Sequence, residues 1–106
     1  MSGFDPRGLA LRVEGLIRGP FGGNVDAAAH SLAVDPVELR RIVEGATEAP
    51  EVEILERLVI RFGVCASWLV TGAYDWRTHR SALEDEAEGR DLTRFLLRRA
   101  LRGPMA

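Results

Sequence analysis

The chain has 106 residues, 46% of them hydrophobic and 28% charged, with a formal net charge of −2. That length supports one domain with at most a short appendage, and the composition is that of a folded globular chain. A lone Cys65 excludes an intrachain disulfide and a cysteine metal cage, and a net charge this close to zero gives no overall attraction to nucleic acid.

The opening MSGFDPRG has no apolar run of the kind a secretory signal needs, and no segment is apolar enough to cross a bilayer. A cytoplasmic protein without a membrane partner is therefore expected. Strand signals are missing, and helical periodicity recurs between Gly and Pro breaks. The first helix is predicted to start at Asp5, an N-cap followed by Pro6 at the first helical position. Leu9, Val13, Leu16 and Ile17 fall on one face, and the "RGPFGG" stretch is expected to end the helix at Gly19-Pro20.

Asn24 caps the second predicted helix, whose inner face is Val25, Ala28, Ala29 and Leu32. The small Ala28–Ala29 pair allows another helix to approach closely. After Ala33-Val34, Asp35-Pro36 repeats the cap-and-proline pattern, Leu39, Ile42 and Val43 make the next apolar stripe, and Gly45 closes it. "ATEAP" is a loop. A fourth helix from near Glu51 carries Val52, Leu55, Leu58, Val59 and Phe62, with Glu51 and Glu53 at its positive end. A short helix spans about Cys65 to Val70 and stops at Thr71-Gly72.

Residues 73–89 are predicted to be a linker, with a helical turn or two possible within 81–88. The last helix, over 90–103, is capped by Asp91 and carries Leu92, Phe95, Leu96, Leu97, Ala100 and Leu101. Its apolar face is wider than a surface helix of a small domain usually needs. It either packs back as another core helix or pairs two copies, and pairing through Leu92, Phe95, Leu96 and Leu101 is the favoured expectation.

Charge is distributed unevenly, and every basic residue is Arg. Residues 24–72 carry four Arg against eight acids, whereas 90–102 carry five Arg against one Asp.

The stretch from about Leu9 to Gly72 resembles the lambda-repressor-like, Xre-type helix-turn-helix domain. Ala29, Leu32, Val34 and Asp35 match its "A-x-x-L-G-V-S" pattern, with Ala33 where Gly is usual. Leu39, Ile42 and Gly45 match its third helix, and "APEVEILERLVIRFGVCASWLVTG" resembles its closing motif through Gly63, Val64, Trp68, Leu69, Thr71 and Gly72. The resemblance implies an all-α, compact five-helix domain at 5–72, with the C-terminal helix added. It also implies that the third helix lies in the major groove of double-stranded DNA, as a homodimer on paired half-sites. Three departures stand out: Val25 replaces the usual Gln, Pro36-Val37-Glu38 replaces small polar residues, and the late Glu of the third helix is displaced to Glu44.

The candidate DNA contacts are Asn24 at the phosphate, Val37, Glu38, Arg40 and Arg41 along the third helix (about 36–44), and Thr47 beyond it. Arg41 can fork onto guanine, Glu38 can accept from cytosine N4, and Val37 can touch a thymine methyl. Phosphate affinity needs cations, which this acidic stretch must draw from Arg7, Arg12 and Arg18 or from Arg98, Arg99 and Arg102 of the last helix. No nucleophile–base pair, P-loop or metal-ligand spacing is apparent, so neither enzymatic activity, a metal nor a cofactor is expected. Trp68 reads as a core anchor, and Cys65 as a packed, inert thiol. The expected function is a small transcription regulator. The alternative is a protein-interaction or self-association module that keeps the fold and binds no DNA.

Overall fold

The computed structural model describes residues 4–84 and 89–102, with side chains described at 4–80 and 92–102. Among the described residues seven helices follow one another: α1 (Pro6–Phe21), α2 (Val25–Leu32), α3 (Pro36–Val43), α4 (Val52–Phe62), α5 (Ala66–Thr71), α6 (Trp76–Glu84) and α7 (Gly89–Arg102). No strand occurs among the described residues, so the class is all-α.

Local chemistry sets the first three helix starts. Asp5 Oδ1 accepts from Arg7 N at 3.1 Å, Asn24 Oδ1 from Ala27 N at 3.0 Å, and Asp35 Oδ1 from Val37 N at 2.8 Å. Each satisfies a backbone donor that the first helical turn leaves without a partner. Two of these helices then open on a proline whose missing N–H costs nothing there.

Three boundaries differ from the sequence expectation. Helix α1 runs through Gly19-Pro20 to Phe21 and is capped by Gly22. Pro20 lies in the final turn, where it removes a single ladder bond, its fixed φ suits a helix, and Gly19 before it has no Cβ to clash with the ring. Part of the expected linker is helix α6. Asp75 Oδ1 caps it by accepting from Arg77 N at 3.1 Å, and His79 Nε2 lies 2.8 Å from the Gly63 carbonyl, fastening α6 to the α4–α5 turn. Helix α7 begins at Gly89 rather than after Asp91. The expected end of this helix at 103 lies outside the described residues.

Among the residues whose side chains are described, the core draws on α1 to α5 and α7. Leu9, Val13 and Ile17 of α1 meet Ala28, Ala29 and Leu32 of α2, Leu39 and Ile42 of α3, and Leu55, Leu58 and Val59 of α4. Leu69 and Val70 of α5 and Leu96 and Leu97 of α7 complete it. Helix α3 packs chiefly on α1 and α2, whereas α7 packs on α4, α5 and α6. Leu97 is 0% exposed, so α7 is a structural part of the domain. Burying each such leucine stabilises the fold by about 1.5–3 kcal/mol.

This packing revises the expected pairing face. Leu96 belongs to the protomer's own core, and Leu92 and Leu101 are half-buried against it. Only Phe95 of that group faces solvent, at 54% exposure. Trp68 is half-buried against the core, and Tyr74 and Trp76 are exposed.

Candidate nucleic-acid interface

Helices α2 and α3 are joined by Ala33, Val34 and Asp35. The turn is made by backbone bonds: Val34 N donates to Ala29 O at 3.0 Å, and Ala33 N to His30 O at 3.2 Å. This pair of bonds requires a left-handed residue at Ala33, which has φ +58°. An alanine therefore holds a conformation that costs an L-residue about 1–2 kcal/mol. Gly45 at φ +68° closes α3 in the same way, and its α-carbon faces α1 across a gap that a side chain would narrow.

The outward side of α3 carries Val37, Arg40 and Arg41, with Glu38 half-buried and Glu44 at the C-cap. Val37 is 58% exposed, although it is the most apolar residue on that side. Both arginines already have partners: Arg40 donates to Asp26 Oδ1 of α2 at 2.6 Å, and Arg41 stands 3.8 Å from Glu38 Oε1. Exposed pairs of this kind contribute only about 0–1 kcal/mol, so either guanidinium can exchange its carboxylate for a phosphate or a base edge.

Asn24 is exposed, but its side-chain oxygen holds the α2 cap. Thr47 Oγ1 accepts from Ala49 N at 3.2 Å, which ties it into the loop after α3. The structure therefore brings Val37, Glu38, Arg40 and Arg41 onto one surface and gives Asn24 and Thr47 local structural bonds.

The supplementary cations separate into three kinds. Arg12 is committed to the fold: its Nε donates to Leu69 O at 2.7 Å and its Nη2 to Val70 O at 2.9 Å. Burial lowers its pKa below the ordinary guanidinium value, and the nearby Asp5 carboxylate opposes that shift. Arg18 pairs with Glu14 on its own helix. Arg7 is exposed, and its backbone lies close to Gly45 at the end of α3. Arg98, Arg99 and Arg102 are exposed on α7, which shares no extensive packing with α3.

Comparison with family models, curated proteins and solved structures returned no match. The functional reading therefore rests on the residues of these surfaces.

Sequence spacing missed three contacts that shape them. Asp26 meets Arg40 from 14 residues away across the turn. Arg94 Nε donates to the buried Glu56 at 2.6 Å, and Arg57 donates to Leu32 O at 3.2 Å, capping α2 from α4. All three are tertiary pairings with no local signature, whereas Arg12 offered one, since it sits between Leu9 and Val13 on the inner side of α1. Together Arg57, Arg61 and Arg94 border a half-open cleft of about 410 Å³ beside Leu32, Glu53 and Glu56. Two of its three guanidiniums are thus already engaged. Among the described residues no group of three metal-ligating side chains occurs, and no helix is long and apolar enough to cross a membrane.

Proposed function

We propose that the chain is a small DNA-binding transcription regulator that reads the major groove of double-stranded DNA with α3. The observation that carries this reading is the placement of α3. One side packs on α1 and α2 across a three-residue turn, and the other presents Val37, Arg40 and Arg41 to solvent. Arg41 is the residue assigned to a guanine edge, Val37 to a thymine methyl, and Arg7 to a flanking phosphate. Each well-made base pairing discriminates by about 1–3 kcal/mol. The proposal includes no homodimer through α7, because Leu96 is buried within the protomer and Leu92 and Leu101 lie half-buried on the same core.

One observation favours a second reading, in which the same surface binds a protein. Asp26, Glu38 and Glu44 offset the charge of Arg40 and Arg41, leaving a surface suited to a mixed-charge partner. Salt separates the two readings. DNA binding loses affinity steeply with ionic strength because it releases counterions from the duplex. Binding to the chain's own promoter and to random duplex, measured at two salt concentrations, tests the proposal, and no binding to either at low salt would overturn it.

A further inference from the structure

We propose that the outward face of α7, which packs on helices other than those that carry α3, is a second, sequence-independent contact for the phosphate backbone of duplex DNA, so that one protomer can hold two duplex segments. This deepens the DNA-binding reading, which supplies the first segment.

Helix α7 is two-sided. Leu92, Thr93, Leu96, Leu97, Ala100 and Leu101 are buried or half-buried, and Arg94, Phe95, Arg98, Arg99 and Arg102 are exposed. Between residues 92 and 102 the solvent side therefore holds four guanidiniums, one ring and no carboxylate. Arg94 is tied to Glu56, whereas Arg98, Arg99 and Arg102 have no ion pair among the described residues. Arg94, Arg98 and Arg102 form a row that rises about 6 Å per step along the helix.

The chemistry of this face selects its occupant. A protein partner needs an apolar centre, and a standard interface buries about 800 Å² on each side. Phe95 is the one apolar residue here, and a ring of that kind buries about 150–250 Å². Backbone binding has no such requirement, because its affinity comes from counterion release by cations, and guanidinium forks fit phosphate oxygens. Helix α7 packs on α4, α5 and α6, and α3 on α1 and α2, so the two surfaces are carried by separate groups of helices.

The test is a bridging assay. Bead-held duplex is coated with the protein and then offered a labelled random duplex at about 50 mM salt, a condition in which phosphate contacts are strong. Wild type is expected to retain the label. Three phosphate contacts at a slope of about 0.9 each predict roughly forty-fold weaker capture when salt is raised four-fold. The Arg98→Gln/Arg99→Gln/Arg102→Gln variant should coat the bead, melt at the wild-type temperature and retain no label.

Label retention by this variant at the wild-type level overturns the proposal. So does tighter capture of labelled polyglutamate than of duplex by bead-bound wild type, which would make α7 a surface for acidic protein. Wild type that coats the bead and retains no label also overturns it. In that case the variant distinguishes the two claims: if it still coats, the α3 reading stands, and if it does not, that reading falls as well.

Discussion

Arg12 Nε of α1 donates to the carbonyl of Leu69 at 2.7 Å, which joins the first helix to the end of the fifth. The same guanidinium reaches Val70 O at 2.9 Å, so one fork satisfies two carbonyls that the end of α5 leaves open. Arg12→Ala is expected to destabilise the fold by about 1.5–3 kcal/mol, the range for hydrogen bonds to a charged group. Arg12→Lys should recover only part of this, because an ammonium lacks the planar fork. Urea denaturation measures both, and an unchanged midpoint for Arg12→Ala would show that the fork contributes nothing.

Gly72 faces that fork. It caps α5 at φ +85°, and a Cβ added there would stand 3.1 Å from Arg12 Nη1. Gly72→Ala is expected to cost about 1–2 kcal/mol for the left-handed backbone, and more from the displaced guanidinium. In the Arg12→Ala background the second contribution should vanish, so a double-mutant cycle will show a coupling if the contact is as described.

Ala33 offers the opposite change. Its φ of +58° is held by the turn between α2 and α3. Ala33→Gly removes the steric penalty and adds unfolded-state entropy, for a net stabilisation of about 0.5–1 kcal/mol. A lower melting temperature for this variant would contradict the turn geometry.

Leu97 tests whether α7 belongs to the protomer. It is 0% exposed, so Leu97→Ala should cost about 2–5 kcal/mol through lost burial and the cavity left behind. The melting midpoint of wild type should not change with protein concentration, because the core is complete within one chain. A midpoint that rises with concentration would return α7 to an interface between copies.

On α3, Arg41→Ala should reduce discrimination between the true site and random duplex by about 1–3 kcal/mol. Asp26→Asn releases Arg40 and removes an acid from the same surface, and should strengthen binding about two- to five-fold at low salt, the scale of an exposed ion pair. Glu14→Gln makes the same charge change beside Arg18 on α1 and serves as the control. Equal gains from Asp26→Asn and Glu14→Gln would mean that only net charge matters.

Residues that act on their neighbours in the chain could be read from the sequence. Asp5, Asn24 and Asp35 cap helices two or three residues ahead of them, and the apolar stripes of α1 to α4 follow helical spacing. Gly72 and Gly45 mark helix ends for the same reason. Helix α6 carries the same kind of local cap at Asp75, but no apolar period follows it through residues 76–80, and its attachment depends on His79 reaching Gly63 from 16 residues away. Of the α3 residues singled out from the sequence, Val37, Arg40 and Arg41 are exposed and Glu38 is half-buried. The ion pair of Arg40 was not legible, since Asp26 and Arg40 meet only once the turn has folded. The wide apolar face of α7 looked the same whether its partner was a second copy or the α4–α5 surface. Burial of Leu96 and Leu97 decides for the latter.

The most direct measurement is the affinity for promoter duplex as a function of salt, with wild type and Arg41→Ala side by side. Wild type is expected to bind promoter more tightly than random duplex, to lose affinity for both as salt rises, and to lose the preference when Arg41 is removed. Absence of duplex binding at low salt, or a preference that survives Arg41→Ala unchanged, would contradict a major-groove role for α3.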